Sequence, residues 1–228
     1  MTKGIFITGA SSGIGQAIAK KLASELDLKV LGLQYNTDRS GVDKFIHSNS
    51  YQCDFNTYSK GLIDTFIHDV RGLYALINCA GTVSDVPFED LTAEEFDRVF
   101  RINTRSAFLL SKEAFPHMKE NGGRIINISS FTTTYGMGRD NTIHYAASKE
   151  ALNTLTIGLS RIGAEYNILV NSISPGVIDT KLQNKGKEDR VPLKRLGKPE
   201  EIAEMVSYLL SDKGSFITGQ NIRIAGGE

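Results

Sequence analysis

A phenol and an ammonium four residues apart are the first candidates for chemistry in this chain: Tyr145 and Lys149, within His144-Tyr145-Ala146-Ala147-Ser148-Lys149. On a helix that spacing stacks both side chains on one face, one turn apart. A free phenol, with a pKa of about 10, is a poor proton shuttle near neutrality, and a fixed cation beside it favours the phenolate and draws it toward a working range. The same pair is common on solvated helix faces, so its meaning depends on what accompanies it.

A second signal stands at Ile7-Thr8-Gly9-Ala10-Ser11-Ser12-Gly13-Ile14-Gly15. Glycines at 9, 13 and 15 permit a tight turn, a close approach of backbone to ligand and close helix-strand packing. A helix starting behind them offers unpaired N–H groups and the positive end of its dipole to a pyrophosphate. The bland alternative is a turn that merely closes a strand-helix unit. An apolar strand on one side and an amphipathic helix on the other favour the dinucleotide cradle.

Short β-branched runs at 4–7, 29–33, 75–78, 124–128, 168–173 and 221–224 would carry these groups, with a further strand-like stretch before Asp54. They alternate with helical stretches near 14–26, 58–70, 93–119, 145–164 and 199–211. Strict alternation predicts an α/β fold, a parallel sheet with helices on both faces. With 228 residues and no Pro-, Gly- or Ser-rich linker, one domain over 1–228 is expected, its cofactor half near 1–125 and its catalytic and substrate half near 126–228.

Composition narrows the partners. Lys plus Arg and Asp plus Glu both number 26, so no net field attracts nucleic acid or an anionic membrane. Cys53 and Cys79 lack metal-ligand spacing and do not make a disulfide framework, which fits a reducing cytosol. No metal site is expected. Neither an export signal nor a membrane-spanning run is present, so a cytoplasmic protein acting on a small molecule is expected.

Taken in order, Thr8-Gly9-x-x-x-Gly13-x-Gly15, Asn78-Cys79-Ala80-Gly81, Asn103, Ser130, Tyr145-x-x-x-Lys149 and Pro175-Gly176 resemble the short-chain dehydrogenase/reductase family over nearly the whole chain. Within it the likeness is greatest to 3-oxoacyl carrier-protein reductases, through Arg195-Leu196-Gly197-Lys198-Pro199-Glu200-Glu201-Ile202 and Phe216-Ile217-Thr218-Gly219-Gln220 with Gly226-Gly227. The resemblance implies a doubly wound Rossmann fold with a seven-stranded sheet. It also implies a homo-oligomer, a tetramer or dimer, built through the long helices 93–119 and 145–164.

What it implies for the site is an Asn103-Ser130-Tyr145-Lys149 catalytic set. Asn103 distorts its helix and holds a water that relays protons to Lys149; an Asn inside a helical stretch is otherwise poorly placed. Ser130 and Tyr145 hydrogen-bond a substrate carbonyl, Tyr145 gives its proton to oxygen as hydride reaches carbon, and Lys149 also grips the ribose hydroxyls. Ser130 precedes Tyr145 by fifteen residues, more than the family's usual spacing. Either the loop carries an insertion or Thr132 takes the serine's place.

Cofactor contacts are implied for Thr8, Gly9, Ser11, Ser12, Gly13, Ile14 and Gly15. Further along they are implied for Asp54 at the adenine amino group, supported by the Phe55 backbone, and for Asn78, Ala80, Gly81, Pro175 and Gly176. Ile178 and Thr180 would bond the carboxamide. Asp54 as a turn-former and Asn78 as a link between strands are the plainer alternatives. Enzymes that use NAD place an acid at the end of the second strand, about twenty residues past the glycines. Here Gln34-Tyr35-Asn36-Thr37 stands there with Arg39 close behind, which favours NADP(H) and leaves NAD(H) open.

The expected reaction is reduction of a ketone, a 3-oxoacyl thioester or similar carbonyl, to a secondary alcohol. A dehydrogenase of alcohols, sugars or polyols is the rival, and a non-catalytic nucleotide sensor a more distant one. The polar segment Lys181–Val191 forms either a lid or a shortened loop. Its Lys181, Lys185, Lys187 and Arg190 offer a basic docking patch, although Asn121 and Tyr166 stand where carrier-protein reductases place arginines.

Overall fold

The computed structural model describes residues 3–25, 29–43, 45, 48–70, 72–133, 141–180 and 188–228. Seven parallel strands form one sheet: β1 (Lys3–Ile7), β2 (Lys29–Tyr35), β3 (Ser48–Gln52), β4 (Ala75–Asn78), β5 (Gly123–Ile128), β6 (Ile168–Pro175) and β7 (Asn221–Ile224). Their spatial order is β3-β2-β1-β4-β5-β6-β7. The chain winds outward from β1 to β3, then returns to lay β4 against β1, pairing Ile5 with Ala75 and Ile7 with Ile77. That reversal opens a crevice beyond the carboxyl ends of β1 and β4, where open α/β sheets hold their ligands.

Alternation along the strands sends neighbouring side chains to opposite faces. Ile5, Ile7, Leu31, Leu33, Ile126 and Ile128 join Ile18 and Leu22 of α1 (Gly13–Glu25) and Ile202 and Val206 of α6 (Pro199–Leu210) in one core. Phe6, Leu76 and Ile125 face the other way. They pack with Phe66 of α2 (Leu62–Val70), Leu110 and Phe115 of α4 (Ser106–Met118), and Leu159 of α5 (Ile143–Gly163). The central strands β4, β5 and β6 are buried along their whole length, as expected for a sheet covered on both sides.

Two helical expectations are corrected. The stretch 93–119 is not one α-helix: α3 (Ala93–Phe100) passes through a π turn at Arg101–Arg105 before α4 begins. There the Ser106 N–H donates to the Arg101 carbonyl, a span of five residues. The cause is Asn103, whose amide is committed elsewhere. It accepts from the Thr82 N–H (2.8 Å) and donates to the Thr82 carbonyl (3.0 Å) and the Ser148 hydroxyl (3.0 Å). Single π turns of this kind concentrate at functional sites.

The second correction concerns 58–70, whose helix starts only at Leu62. Glu113 of α4 explains the late start. Its carboxylate accepts from the Tyr58 hydroxyl (2.7 Å) and from the backbone N–H groups of Gly61 (2.8 Å) and Ile63 (3.1 Å), capping α2 from another helix. An anion at a helix N-terminus that also satisfies three donors is a strong local anchor. Glu113→Ala leaves those donors poorly paired and is expected to cost about 1–3 kcal/mol, read as a lower urea midpoint at unchanged slope, with the active site intact.

Candidate active site

The turn after β1 is fastened across the point where the sheet reverses. The Thr8 hydroxyl accepts from the N–H groups of Cys79 and Ala80, both at 2.9 Å, and so joins the ends of β1 and β4. Gly9 has φ +63°, and a Cβ there would lie 2.9 Å from the Ala80 Cα. A Cβ on Gly15 would fall 2.2 Å from the Gly9 carbonyl oxygen, so the first turn of α1 closes only with glycine at that place. Ser11, Ser12, Gly13 and Ile14 form the rest of the turn, with Thr180 beside it: its Cγ2 is 3.5 Å from where a Gly13 Cβ would stand. A dinucleotide suits this arrangement, since the cradle has no side-chain bulk and the first amides of α1 have no partners within their own helix.

At the end of β2 the structure gives Gln34 a task the sequence does not reveal. Its buried amide accepts from the Gly9 N–H (2.8 Å) and donates to the Cys53 carbonyl (2.7 Å), holding the glycine turn to the chain after β3. Gln34 therefore belongs to the scaffold. Tyr35 is half-buried, Asn36, Thr37 and Arg39 are exposed, and the Arg39 guanidinium pairs with Asp43 at 2.7 Å. Such an exposed pair is weak.

Asp54 is exposed and its carboxylate accepts from the Asn56 N–H (2.8 Å), the turn-forming role. Phe55 is buried edge-on to Tyr58. Asn78 donates to Asn127 (2.8 Å), which donates to Thr156 (2.8 Å), so the strand-linking role of Asn78 is present. Pro175 ends β6, Gly176 follows, and the Ile178 side chain is buried in the core. Ala80 and Gly81 lie between the glycine turn and the catalytic candidates: a Cβ on Gly81 would stand 3.2 Å from Lys149 Nζ and 3.4 Å from Asn103 Oδ1.

Those candidates converge beyond the ends of β4 and β5. Ser130 lies close enough to the Tyr145 phenol for its hydroxyl to counter part of that phenol's upward pKa shift. Lys149, 4% exposed, donates from Nζ to the Ile128 carbonyl (2.8 Å), and its own carbonyl accepts from Ser129 (3.1 Å). The Ser148 hydroxyl, tied to Asn103, donates to the Tyr145 carbonyl (2.7 Å) and braces the turn of α5 that carries both groups. Thr132, the other candidate for the serine's role, hydrogen-bonds to Ser130. Of the segment Lys181–Val191, residues 181–187 lie outside those described, while Glu188–Arg190 form a short 3-10 turn and Val191 is buried.

The expected electrostatics need correction. Burial pushes the Tyr145 phenol above its ordinary pKa and only the Ser130 hydrogen bond pulls it back, with no lowering from Lys149. Burial also depresses the Lys149 ammonium, to about 8. Desolvation is the largest cause at both groups, and the Lys149 ammonium donates to the Ile128 carbonyl.

A family model described as enoyl-(acyl carrier protein) reductase matches residues 9–228. The chain belongs to the short-chain dehydrogenase/reductase family of oxidoreductases. The 3-oxoacyl-(acyl-carrier-protein) reductase FabG of Rickettsia felis is 36% identical to it, over 97% of this chain and 94% of its own length. Among solved structures, the acetoin dehydrogenase of Enterobacter cloacae superposes with a TM-score of 0.92 at 31% identity, covering 100% of this chain and 95% of that one. A short-chain dehydrogenase of Burkholderia cenocepacia, solved in complex with NADP, gives 0.90 at 28% identity, covering 100% and 98%.

Proposed function

We propose that this protein reduces a small ketone, a 3-oxoacyl thioester or a similar carbonyl compound, to a secondary alcohol with NADPH. The observation that carries this reading is Lys149 and Asn103 meeting beside Gly81, one residue from the Ala80 that packs on Gly9 of the glycine cradle, with Ser130 against the Tyr145 phenol. A phenol and a hydroxyl able to donate to one oxygen suit a carbonyl better than a bare C=C bond, and the Rickettsia relative is named for a 3-oxo substrate.

NADP(H), when bound, supplies or takes up the hydride. The glycine turn, Ala80, Gly81 and the Pro175-Gly176 segment hold the dinucleotide, and Arg39 exchanges Asp43 for the 2′-phosphate. Ser130 donates a hydrogen bond to the substrate oxygen, Tyr145 gives it the proton, and Lys149 and Asn103 resupply that proton and orient the ribose. The missing acid after β2 and the NADP-bound Burkholderia relative support the cofactor choice.

The chain acts as one domain and, in the cytoplasm, as a homo-oligomer. Phe108 on α4 and Ile157 and Ile162 on α5, 44%, 45% and 59% exposed, support assembly through those two helices. No helix among the described residues is long and apolar enough to cross a membrane. Dehydrogenation of an alcohol such as acetoin is the second reading, favoured by the Enterobacter structure. Cofactor oxidation measured across acetoacetyl thioesters, diketones and keto-sugars tests the substrate. The expected result is turnover of acetoacetyl thioesters with kcat/KM at least tenfold higher for NADPH than for NADH; turnover confined to diketones or sugars, or an NADH preference, refutes it.

A further inference from the structure

Ser130 does not stand alone at the site. The Thr132 hydroxyl donates to Ser130 Oγ at 2.9 Å, and the Thr132 backbone N–H donates to the same oxygen at 3.3 Å. The turn that delivers them is itself held: the Thr133 hydroxyl donates to the Ser130 carbonyl (3.0 Å), and Asn153 of α5 donates to the Thr133 hydroxyl (3.2 Å). A hydroxyl has one proton to give and two lone pairs to receive with. With Thr132 donating twice to Ser130 Oγ, the serine is left with its own proton as the group it gives onward.

We propose that Thr132 is a positioning residue that sets the direction of the Ser130–Tyr145 hydrogen bond, so that serine donates and the phenol proton stays free for substrate. This rests on the proposed function of the site. The chain of donors runs Thr132 to Ser130 to the phenol oxygen or, with substrate present, to its carbonyl oxygen, and each link polarises the next. It also gives meaning to the lengthened spacing: the threonine nearer to Tyr145 in sequence serves the serine instead of replacing it.

Thr132→Val removes the hydroxyl at nearly constant shape, and Thr132→Ser restores it. Valine is expected to lower kcat about tenfold, with KM for the cofactor unchanged. In alcohol oxidation, where the phenolate is the base, it moves the rising limb of the pH-rate profile to higher pH; serine returns both to wild-type values. In a Ser130→Ala background the same Thr132→Val change has no further effect.

A readout independent of turnover is the Cζ resonance of isotopically labelled tyrosine in the cofactor-free protein, assigned to Tyr145 by its loss in Tyr145→Phe. In Thr132→Val it titrates at higher pH. An unshifted resonance, an unchanged rate, failure of serine to rescue, or an equal loss in the Ser130→Ala background overturns the proposal. Should Thr132→Val fail to fold, Thr132→Ala is scored by the same four readouts. Failure of the site reading is distinct, since it appears as a Tyr145→Phe variant that keeps its rate while the resonance still responds to Thr132.

Discussion

Tyr145→Phe should fold and bind NADPH with an affinity within a few-fold of wild type, yet lose turnover by about a thousandfold, within the range of about 10²–10⁴ that a positioned proton donor contributes. The change removes one oxygen from a half-buried side chain and leaves the ring in place. The brace from Ser148 to the residue-145 carbonyl is untouched, because it engages backbone. Loss is therefore expected in kcat, with cofactor affinity held, as when an interaction made in the transition state is removed. Single-turnover rates with NADPH affinity measured by fluorescence check this. A variant retaining a tenth of the wild-type rate would refute the acid role.

Lys149→Met is expected to abolish turnover and also to change how stability depends on pH. The buried ammonium titrates at about 8 in the folded protein against 10.5 for the ordinary group. Below pH 8 the lysine is charged both folded and unfolded, and the wild type carries the full penalty of burying it. Between 8 and 10.5 the unfolded chain holds the proton that the folded chain has released, so wild-type stability rises with pH. Above 10.5 both states are neutral and the gain is complete. At about 1.4 kcal/mol per tenfold, the interval amounts to about 3 kcal/mol. Methionine does not titrate. The difference in unfolding free energy, wild type minus Lys149→Met, should thus grow by about 3 kcal/mol from pH 7 to pH 11 in urea titrations; a flat difference would show that Lys149 is not desolvated. Stability given up at a functional position is the usual trade of an active site.

Patterns of short sequence range were legible before any coordinates. Strand-helix alternation produced the doubly wound sheet, and 75–78 and 221–224 matched β4 and β7 to the residue. What stayed hidden depends on partners distant in sequence. Glu113 caps a helix fifty residues earlier, and no local pattern marks a glutamate on an amphipathic helix for that work. Asn103 looked misplaced in its helix, but the π turn it creates depends on Thr82 and Ser148 coming to meet it. The phenol-ammonium electrostatics were misjudged because spacing reports direction along a helix and says nothing of depth. Depth decided the outcome, since burial is the largest cause of the shift at both groups.

Gln34 bears on any attempt to convert the enzyme to the other nicotinamide coenzyme. An engineer would place a new carboxylate at the close of β2, where it can hold ribose hydroxyls and repel a phosphate. Position 34 is closed to that exchange: aspartate or glutamate there could still accept from Gly9 but would strip the Cys53 carbonyl of its donor and bury a charge against the glycine turn. Tyr35 and Asn36, at the solvent edge one and two residues on, are free of that double duty. Redesign of coenzyme preference in this scaffold therefore begins one step later along the chain than an alignment by strand length alone would choose.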